Sequence, residues 1–309
     1  MNQSLSFSSS GLSPFEIAAM PNHRYDLLVI DLDGTLLDRE NRVPIENRRA
    51  IDRAREAGIE IMIATGRALV ESRHALEAIE HDGLIVTAGG SMLNEARTSA
   101  TRRRFVLSPE VVREVTHSLL EHGHRVLILK DAHAAGYDYL AIGNGRLNPA
   151  SEWWFSVMNP VVRHAEHPDH DEHPDDTVRA GVVADSEHLA PVAESLRKVL
   201  GPRAFLQHWA AVTESEATGS TTHLLEVFSP NVNKWTMISE HAREHGIPAA
   251  RIAAIGDGLN DVELIENAGT GIAMANADPR VQAVAKQTTL GHDQHGVAHA
   301  IDRILDGEW

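Results

Sequence analysis

The stretch that decides the fold is YDLLVIDLDGTLLD, residues 25–38. Its apolar first half predicts a buried strand of a parallel sheet. Asp31 and Asp33 follow at the carboxyl end of that strand, the edge at which open α/β sheets bind ligands. Because they are two residues apart, their side chains project toward the same side. Carboxylates held this close repel each other, so the pair indicates a metal ion; Gly34 and Thr35 then turn the chain away.

The composition is that of an ordinary globular protein. The chain has 309 residues, enough for two domains, and 42% of them are hydrophobic. Its 28 lysine and arginine residues against 44 acidic residues give a net charge of −16. Such a surface repels nucleic acid and anionic lipid, so neither is an expected partner. The absence of cysteine excludes disulfides and thiolate metal sites and fits a reducing compartment.

The amino-terminal segment, residues 1–22, is rich in serine and contains neither lysine nor arginine. It therefore does not have the pattern of a secretory signal, and we expect a disordered tail in which Met20 is an alternative start. No apolar run approaches the length of a membrane span. We accordingly expect a cytoplasmic protein with no membrane partner, present as a monomer or a homodimer.

Strands and helices alternate along both ends of the chain, which predicts an α/β fold with a doubly wound, mostly parallel sheet. We expect this core domain to comprise residues 23–92 and 229–309. The predicted strands are 27–30, 59–64, 84–87, 251–255 and 270–274. The predicted helices are 44–57, 68–80, 278–286, 296–305, one beginning near Lys234 and one opened by residues 256–261.

The rhythm changes between the two halves, and residues 93–228 are expected to form an inserted α+β cap. Two helical patterns and five strand-like segments predict an antiparallel sheet with helices on one face; they are 109–121, 187–200, 125–129, 137–142, 178–183, 204–209 and 224–228. Four histidines fall in the stretch 163–176. Prolines forbid a helix there, so a solvated loop is favoured over a metal site; the histidines are His164, His167, His170 and His173.

Six polar side chains at strand ends or helix starts are expected to meet at the carboxyl edge of the core sheet. They are Asp31, Asp33, Thr65, Lys234, Asp257 and Asp261. Each alone has an ordinary explanation: a turn, a helix cap, a solvated lysine or a carboxylate at a helix start. Their occurrence together favours a shared site.

This set of side chains suits phosphoryl transfer. Oxygen ligands from Asp31 and Asp257 fit Mg²⁺ best, while Thr65 and Lys234 offer a hydroxyl and a positive charge to phosphoryl oxygens. One carboxylate can attack phosphorus to form an aspartyl-phosphate. A second carboxyl can protonate the leaving oxygen and later activate water.

Four segments of the sequence together resemble a known family. DLDGTLLD (31–38), the strand ending in TGR (65–67), the helix-initiating Lys234 and GDGLND (256–261) are together similar to the haloacid dehalogenase superfamily of phosphatases. The position and size of the insert resemble the Cof-like subgroup, which includes sugar-phosphate phosphatases. The resemblance extends from Tyr25 to the carboxyl terminus.

The resemblance implies a role for each matched residue. Asp31 would be the nucleophile, and Asp33 would be the general acid/base whose backbone carbonyl also ligates Mg²⁺. The phosphoryl group would be held by Thr65, Gly66 and Lys234, and Lys234 would also restrain Asp31.

The remaining matched residues are assigned in the same way. Asp257 would ligate the metal, and Asp261 would ligate it or orient its waters. Asn260 would contact the phosphoryl group or Lys234. Arg67 would reach toward the substrate, although an exposed arginine at a helix start is an equal alternative.

We therefore expect a Mg²⁺-dependent phosphatase that acts on a small phosphorylated metabolite, a sugar phosphate first, beneath a mobile cap. The alternatives are a phosphotransferase or mutase that uses the same intermediate, and a non-catalytic sensor of a phosphorylated ligand. Cap residues that could contact the substrate, or could equally be structural, are Lys130, Asp131, His133 and Trp153.

Overall fold

The computed structural model describes residues 24–210 and 222–309. The predicted tail, including Met20, lies outside these ranges. The strands are β1 (Leu27–Ile30), β2 (Glu60–Ala64), β3 (Leu84–Thr87), β4 (Met92–Glu95), β5 (Thr101–Arg104), β6 (Val126–Lys130), β7 (Tyr139–Ile142), β8 (Val162–Ala165), β9 (Thr177–Asp185), β10 (Phe205–Ala210), β11 (Thr222–Phe228), β12 (Ile252–Gly256), β13 (Thr270–Ala273) and β14 (Gln287–Thr288).

The helices alternate with these strands. They are α1 (Ile45–Glu56), α2 (Leu69–Ala78), α3 (Pro109–Glu121), α4 (Ala132–Ala135), α5 (Pro149–Met158), α6 (Ser186–Leu200), α7 (Lys234–Glu244), α8 (Val262–Asn267), α9 (Pro279–Val284) and α10 (Gly296–Leu305). None of the helices in the described ranges is both long enough and apolar enough to cross a membrane.

An eight-stranded sheet, the core sheet, is built from both ends of the chain in the order β14-β13-β12-β1-β2-β3-β4-β5. Its first six strands in this order are parallel, and β1 lies between β12 and β2 with Ile30 level with Ile255 and Ile63. Every residue of β1 is buried, as a strand covered on both faces requires. The predicted α/β fold is confirmed, and the register brings the residues that follow β1, β2 and β12 to one edge.

The core sheet extends further along the chain than expected. Strands β4 and β5 form a hairpin that pairs antiparallel with β3, so the sheet continues through Arg104, past the predicted division at residue 92. The sequence of β5 is Thr-Arg-Arg-Arg, an edge strand without an apolar face, and hydrophobic periodicity therefore did not reveal it.

A six-stranded sheet, the cap sheet, has the order β10-β11-β9-β6-β7-β8. Its strands are antiparallel except for the pair β7 and β8. Apolar residues on one of its faces form a core with those of α3 and α6, as the predicted α+β insert requires. Helix α5, which was not predicted, begins after Asn148, whose side chain accepts a hydrogen bond from Ala150 N at 2.9 Å.

The histidine-rich stretch begins in edge strand β8 and continues as loop with two short turns that start at Pro168 and Pro174. The loop prediction is thus correct after Ala165. Across residues 24–210 and 222–309, no three histidine or acidic side chains of this stretch come close enough to share a metal ion.

Candidate active site

Lys234 is the centre of a charged cluster at the carboxyl edge of the core sheet. The residue begins α7 and is fully buried, and its Nζ donates to Asp31 Oδ1 and to Asp261 Oδ1, both at 2.6 Å. The helix start is fixed by Asn233, whose side chain accepts from Thr236 N at 2.8 Å. A solvated surface lysine, the ordinary alternative, is therefore excluded.

Asp257 lies beside this cluster and is held by its own contacts. It follows β12, and its Oδ1 accepts from Thr35 Oγ1 at 2.7 Å. Gly34 has a φ of +70°, and a Cβ there would lie 2.2 Å from Asp257 Oδ2. Only glycine allows the turn after Asp33 to approach Asp257 this closely.

The acidic residue Asp261 uses both oxygens. Its Oδ1 accepts from Lys234, and its Oδ2 accepts from the backbone N–H groups of Asp257 and Gly258 at 3.2 and 3.0 Å. A Cβ at Gly256 would lie 2.6 Å from Asp261 Cγ, so the strand end is also shaped around this side chain. Asp261 consequently fixes both the lysine and the loop that carries Asp257.

Thr65 and its neighbours form the next part of the edge. Thr65 is buried after β2, and its Oγ1 accepts from Arg67 N at 3.1 Å. It is not the cap of the following helix, because α2 begins at Leu69. The approach to Gly66 is close: a Cβ at that glycine would lie 3.3 Å from Asn260 Nδ2, so Asn260 borders the same edge.

Arg67 is neither exposed nor free. It is 6% exposed, and its Nε donates to Asp33 Oδ2 at 2.8 Å while its Nη2 donates to Asp33 Oδ1. Its Nη2 also donates to Asn41 Oδ1 at 2.7 Å, and its guanidinium carbon lies 4.8 Å from the ring centroid of Trp154. The alternative of an exposed arginine at a helix start is wrong, since the side chain fixes Asp33.

The cluster carries an excess of negative charge. Burial, followed by repulsion from Asp261, raises the pKa of Asp31 well above its ordinary value. Burial is also the main cause, and repulsion from Asp261 the second, that raises the pKa of Asp257 to about 7. Burial alone would lower the pKa of Lys234, but the attraction of Asp261 and Asp31 outweighs it and raises that pKa, so the lysine stays charged.

A cavity of about 890 Å³ opens from this edge toward the cap sheet. Its walls include Asp31, Asp33 and Asp257 from the core sheet side, and Trp153 from the cap. This volume is within the range of sites that enclose a small organic molecule.

The other cap residues named from the sequence do not line this cavity. Lys130 is buried, and its Nζ donates to Asp171 Oδ2 at 2.5 Å, to Thr177 Oγ1 at 2.7 Å and to His173 O at 2.8 Å. Asp131 accepts from Thr101 Oγ1 at 2.6 Å and from Arg104 at 2.8 Å. These contacts give them a structural role.

Apart from Trp153, sequence reasoning missed the residues on the cap side of the site and those that join the cap to the core. Glu71 of α2 accepts from Tyr139 Oη and from Trp154 Nε1, each at 2.8 Å. Arg179 of β9 donates to Gly66 O at 2.9 Å and pairs with Glu226 at 2.7 Å. The available signal was that Arg179 and Glu226 each have apolar neighbours on both sides in the sequence of a strand.

Comparison with known proteins identifies the family. Residues 28–301 match the family model of haloacid dehalogenase-like hydrolases. The chain is similar, at 28% identity over 277 residues, to 5-amino-6-(5-phospho-D-ribitylamino)uracil phosphatase YcsE of Bacillus subtilis strain 168; the match covers 89% of this chain and 94% of that protein. It is 26% identical to the HMP-PP phosphatase of Cronobacter sakazakii, with the same two coverages of 89% and 94%.

The structural comparison agrees. A haloacid dehalogenase-like hydrolase from Bacteroides thetaiotaomicron superimposes with a TM-score of 0.75 at 26% identity, covering 91% of this chain and 99% of that one. The family match and these similarities extend over both sheets. The chain therefore belongs to the haloacid dehalogenase-like hydrolases, in their Cof-like phosphatase group, which is the family that its motifs resemble.

Proposed function

We propose that the protein is a Mg²⁺-dependent phosphomonoesterase that hydrolyses a small phosphorylated metabolite through an aspartyl-phosphate on Asp31. The observation that carries this proposal is the buried contact of Lys234 with Asp31 and Asp261, next to the cavity that Asp31 and Asp257 line. A lysine and three carboxylates in one buried cluster have no packing purpose, since an apolar set would be less costly to bury.

The donor set fits Mg²⁺. Asp31, Asp257 and Asp261 each offer a carboxylate oxygen, and these three oxygens lie within 4.8 Å of one another. All are hard oxygen donors, which magnesium prefers. Asp261 Oδ1 is held by Lys234 and its Oδ2 by two backbone N–H groups, whereas Asp257 Oδ2 has a single long contact, with Asn276 Nδ2 at 3.3 Å. We therefore assign the ion to Asp31, Asp257 and the backbone carbonyl of Asp33. A bound divalent cation would neutralise the carboxylates and the phosphoryl oxygens.

The chain's own residues then supply two displacements at phosphorus. Asp31 Oδ2, which no described residue hydrogen-bonds, forms a bond to phosphorus while the ester P–O bond breaks. Asp33 gives a proton to the leaving oxygen and takes one from the water that hydrolyses the aspartyl-phosphate. Arg67 donates to both oxygens of Asp33 and so holds this carboxyl group in a fixed orientation.

The relatives support the substrate class at a coarse level. Their names describe phosphatases of small phosphorylated compounds. We extend that class, a phosphorylated metabolite of low molecular weight, to this chain. The sugar phosphate expected first from the sequence stays a prediction.

A phosphate-release screen tests this function. The wild-type protein would be assayed with sugar phosphates, nucleotides, pyridoxal 5′-phosphate and flavin mononucleotide, with Mg²⁺ and with a chelator. We expect release from at least one ester with Mg²⁺ alone, and a loss of at least about a thousandfold in Asp31→Asn. Release no faster than in that variant for every compound would overturn the proposal, and release only with an added acceptor alcohol would indicate a phosphotransferase.

A further inference from the structure

The cap sheet presents one face to the cavity, and its side chains determine what the leaving group meets there. Along β9, Ala180 and Val182 pack with the helices, so the alternation of a strand turns Arg179, Gly181 and Val183 to the other face. These three residues line the cavity. The inference drawn from this face rests on the proposed phosphatase function.

The residues of this face form rows across the strands. Gly181 is level with Leu127 of β6 and with Glu226 of β11. One step further from the core sheet, Leu224 is level with Val183 of β9 and with Trp209 of β10; the cavity is lined by these residues too. Rows two residues apart are separated by about 7 Å.

The order of these rows is fixed by Arg179. Its Nη1 donates to Gly66 O, next to Thr65, so its end of β9 is nearest the phosphoryl site. A leaving group that extends along the cap face from Asp31 therefore passes Glu226 first and the row that contains Trp209 second. The first row offers a carboxylate, and the second offers two aliphatic side chains and the Trp209 indole.

Glu226 is a carboxylate with an open oxygen in this wall. The residue is 5% exposed, and its Oε1 lies 2.7 Å from Arg179 Nη1. In the parts of the chain that the structure describes, its Oε2 has no hydrogen-bond donor. Glu226 lines the cavity, and this oxygen is not one of the fully buried polar atoms that lack a partner, so it can accept from an N–H or O–H group of a ligand there. Since Gly181 has no side chain, nothing on β9 covers the carboxylate in its row.

Helix α5 contributes an aromatic part of the cavity wall. Trp153 of α5 lines it, with its ring centroid 6.0 Å from that of Trp154. The side chain of Trp154 is engaged by Glu71 and Arg67, whereas the indole N–H of Trp153 has no acceptor among the described residues. The Trp153 indole is thus available as a flat apolar surface for a ligand.

We propose that the cap selects a phosphomonoester whose leaving group is a flat ring with an N–H or O–H donor, and that Glu226 is the residue that reads the donor. Trp153 and the row of Trp209 hold the ring faces, while Arg179 positions the carboxylate. A monosaccharide fits this wall less well, because its hydroxyls surround the ring and those against Val183 and Leu224 would lose water without gaining partners. On this point the proposal departs from the sugar phosphate expected first from the sequence.

Three esters test the flat ring and the hydrogen-bond donor separately. Pyridoxamine 5′-phosphate has a flat ring with donors, and p-nitrophenyl phosphate has a flat ring without donors. Glucose 6-phosphate has donors without a flat ring. In the wild type we expect kcat/KM to be higher for pyridoxamine 5′-phosphate than for glucose 6-phosphate. Glu226→Gln should lower kcat/KM roughly tenfold to a hundredfold for pyridoxamine 5′-phosphate, since a hydrogen bond to a charged group is lost. The same variant should change p-nitrophenyl phosphate hydrolysis by less than about threefold.

A second variant does not depend on the buried ion pair. Trp153→Leu should lower kcat/KM for both flat esters and leave glucose 6-phosphate unchanged, with Trp309→Leu, at the carboxyl terminus and outside the cavity lining, as the matched control. Equal losses of Glu226→Gln on the two flat esters, or faster wild-type hydrolysis of glucose 6-phosphate, would overturn the inference.

Failure of the proposed function would have a different signature. If the wild type released phosphate from none of the three esters, the phosphatase proposal would fall. Binding of pyridoxamine 5′-phosphate and glucose 6-phosphate to Asp31→Asn, measured by calorimetry, would still decide the inference. Tighter binding of the flat ester, weakened by a further Glu226→Gln change, supports it, and equal or reversed affinities contradict it.

Discussion

Two lysines of this protein are equally hidden from solvent but differ in what surrounds them. The Nζ of Lys234 donates to two carboxylates, those of Asp31 and Asp261, next to the cavity that Asp31 lines. Lys130 is joined to a carboxylate, a hydroxyl and a backbone carbonyl within the cap. We infer that Lys234 is needed for catalysis and that Lys130 is needed for stability. Replacing each lysine by methionine should therefore have different effects on activity.

We expect Lys234→Met to abolish phosphate release and Lys130→Met to retain it. Both variants should be destabilised, by about 3–5 kcal/mol, because each leaves a buried carboxylate without its partner. Chemical denaturation measures the free energy of unfolding, and a phosphate-release assay on the folded fraction measures activity. An active Lys234→Met protein, or an inactive but folded Lys130→Met protein, would contradict these assignments.

The role proposed for Asp33 predicts that the effect of replacing it depends on the leaving group of the substrate. A general acid matters most when the departing oxygen is basic, and little when it leaves as a stabilised phenolate. Asp33→Asn should therefore reduce the formation of the aspartyl-phosphate from an alkyl phosphate by about 10²- to 10⁴-fold, and from p-nitrophenyl phosphate much less. Rapid-quench measurement of the first turnover gives both values. Equal reductions for the two esters would remove Asp33 from the first step.

At the level of elements, the site depends on how closely the end of β3 approaches the start of α7. Gly90 has a φ of +108°, and a Cβ there would lie 2.2 Å from the backbone oxygen of Asn233, which is the residue before Lys234. Helix α7 can place its first residue beneath Asp31 only because this position has no side chain.

Gly90→Ala is expected to lower both stability and activity. The left-handed conformation costs about 1–2 kcal/mol in alanine, and displacement of the backbone at Asn233 adds to that cost. Gly136→Ala is the matched control, because Gly136 has a φ of +77° but a Cβ there would meet no atom within 4 Å. Thermal unfolding and kcat measure the two effects; a Gly90→Ala protein as active as Gly136→Ala would show that the close approach does not position Lys234.

Several elements were predictable from the sequence, for physical reasons. Strand β1 was predicted at its observed bounds, because four consecutive apolar residues followed by acidic residues fit few structures other than a buried strand. Helix α3 was also found at Pro109–Glu121, because Ser108 and Pro109 signal its start. Strand β5 and helix α5 were not found, since neither has the periodicity of an element with one apolar face.

Some residues of the candidate site were likewise predictable from the sequence, and others were not. Asp31, Thr65, Lys234 and Asp257 were predictable, because each follows or begins an element and the topology of a parallel sheet brings those positions together. Glu226 and its partner Arg179 were not, since their meeting depends on the register of the cap sheet and on how it docks.

At the scale of the whole molecule, polar contacts hold the cap against the core sheet. Tyr139 Oη donates to Glu71 Oε1 at 2.8 Å and accepts from Arg179 Nη2 at 3.0 Å. The first bond joins the cap to α2 of the core, and Arg179 Nη1 adds a second link by donating to Gly66 O at 2.9 Å. Both links stabilise the arrangement in which the cavity is enclosed. Contacts of this kind are individually modest, so we expect the cap to separate from the core during turnover.

Tyr139→Phe should loosen this docking without unfolding either part. Loss of the hydroxyl removes about 1 kcal/mol, roughly a fivefold change in the opening equilibrium. Amide hydrogen exchange at Gly66 and its neighbours should accelerate by about that factor. Tyr137→Phe is the control, since Tyr137 is buried in the cap and packs against His173 and Arg163 of the cap itself. Equal acceleration in both variants would mean that the cap is not held through Tyr139.

The central claim is that Asp31 becomes phosphorylated, and borohydride trapping tests it most directly. An acyl phosphate is reduced by borohydride to an alcohol, which converts a phosphorylated aspartate into homoserine. Both the wild type and Asp33→Asn would be treated during turnover with Mg²⁺, because the variant should hydrolyse its intermediate slowly. Mass spectrometry of the peptide that contains residue 31 should then find homoserine at that position when substrate is present and aspartate when it is not. Turnover without homoserine at residue 31 in either protein, or homoserine at a different aspartate, would contradict the account.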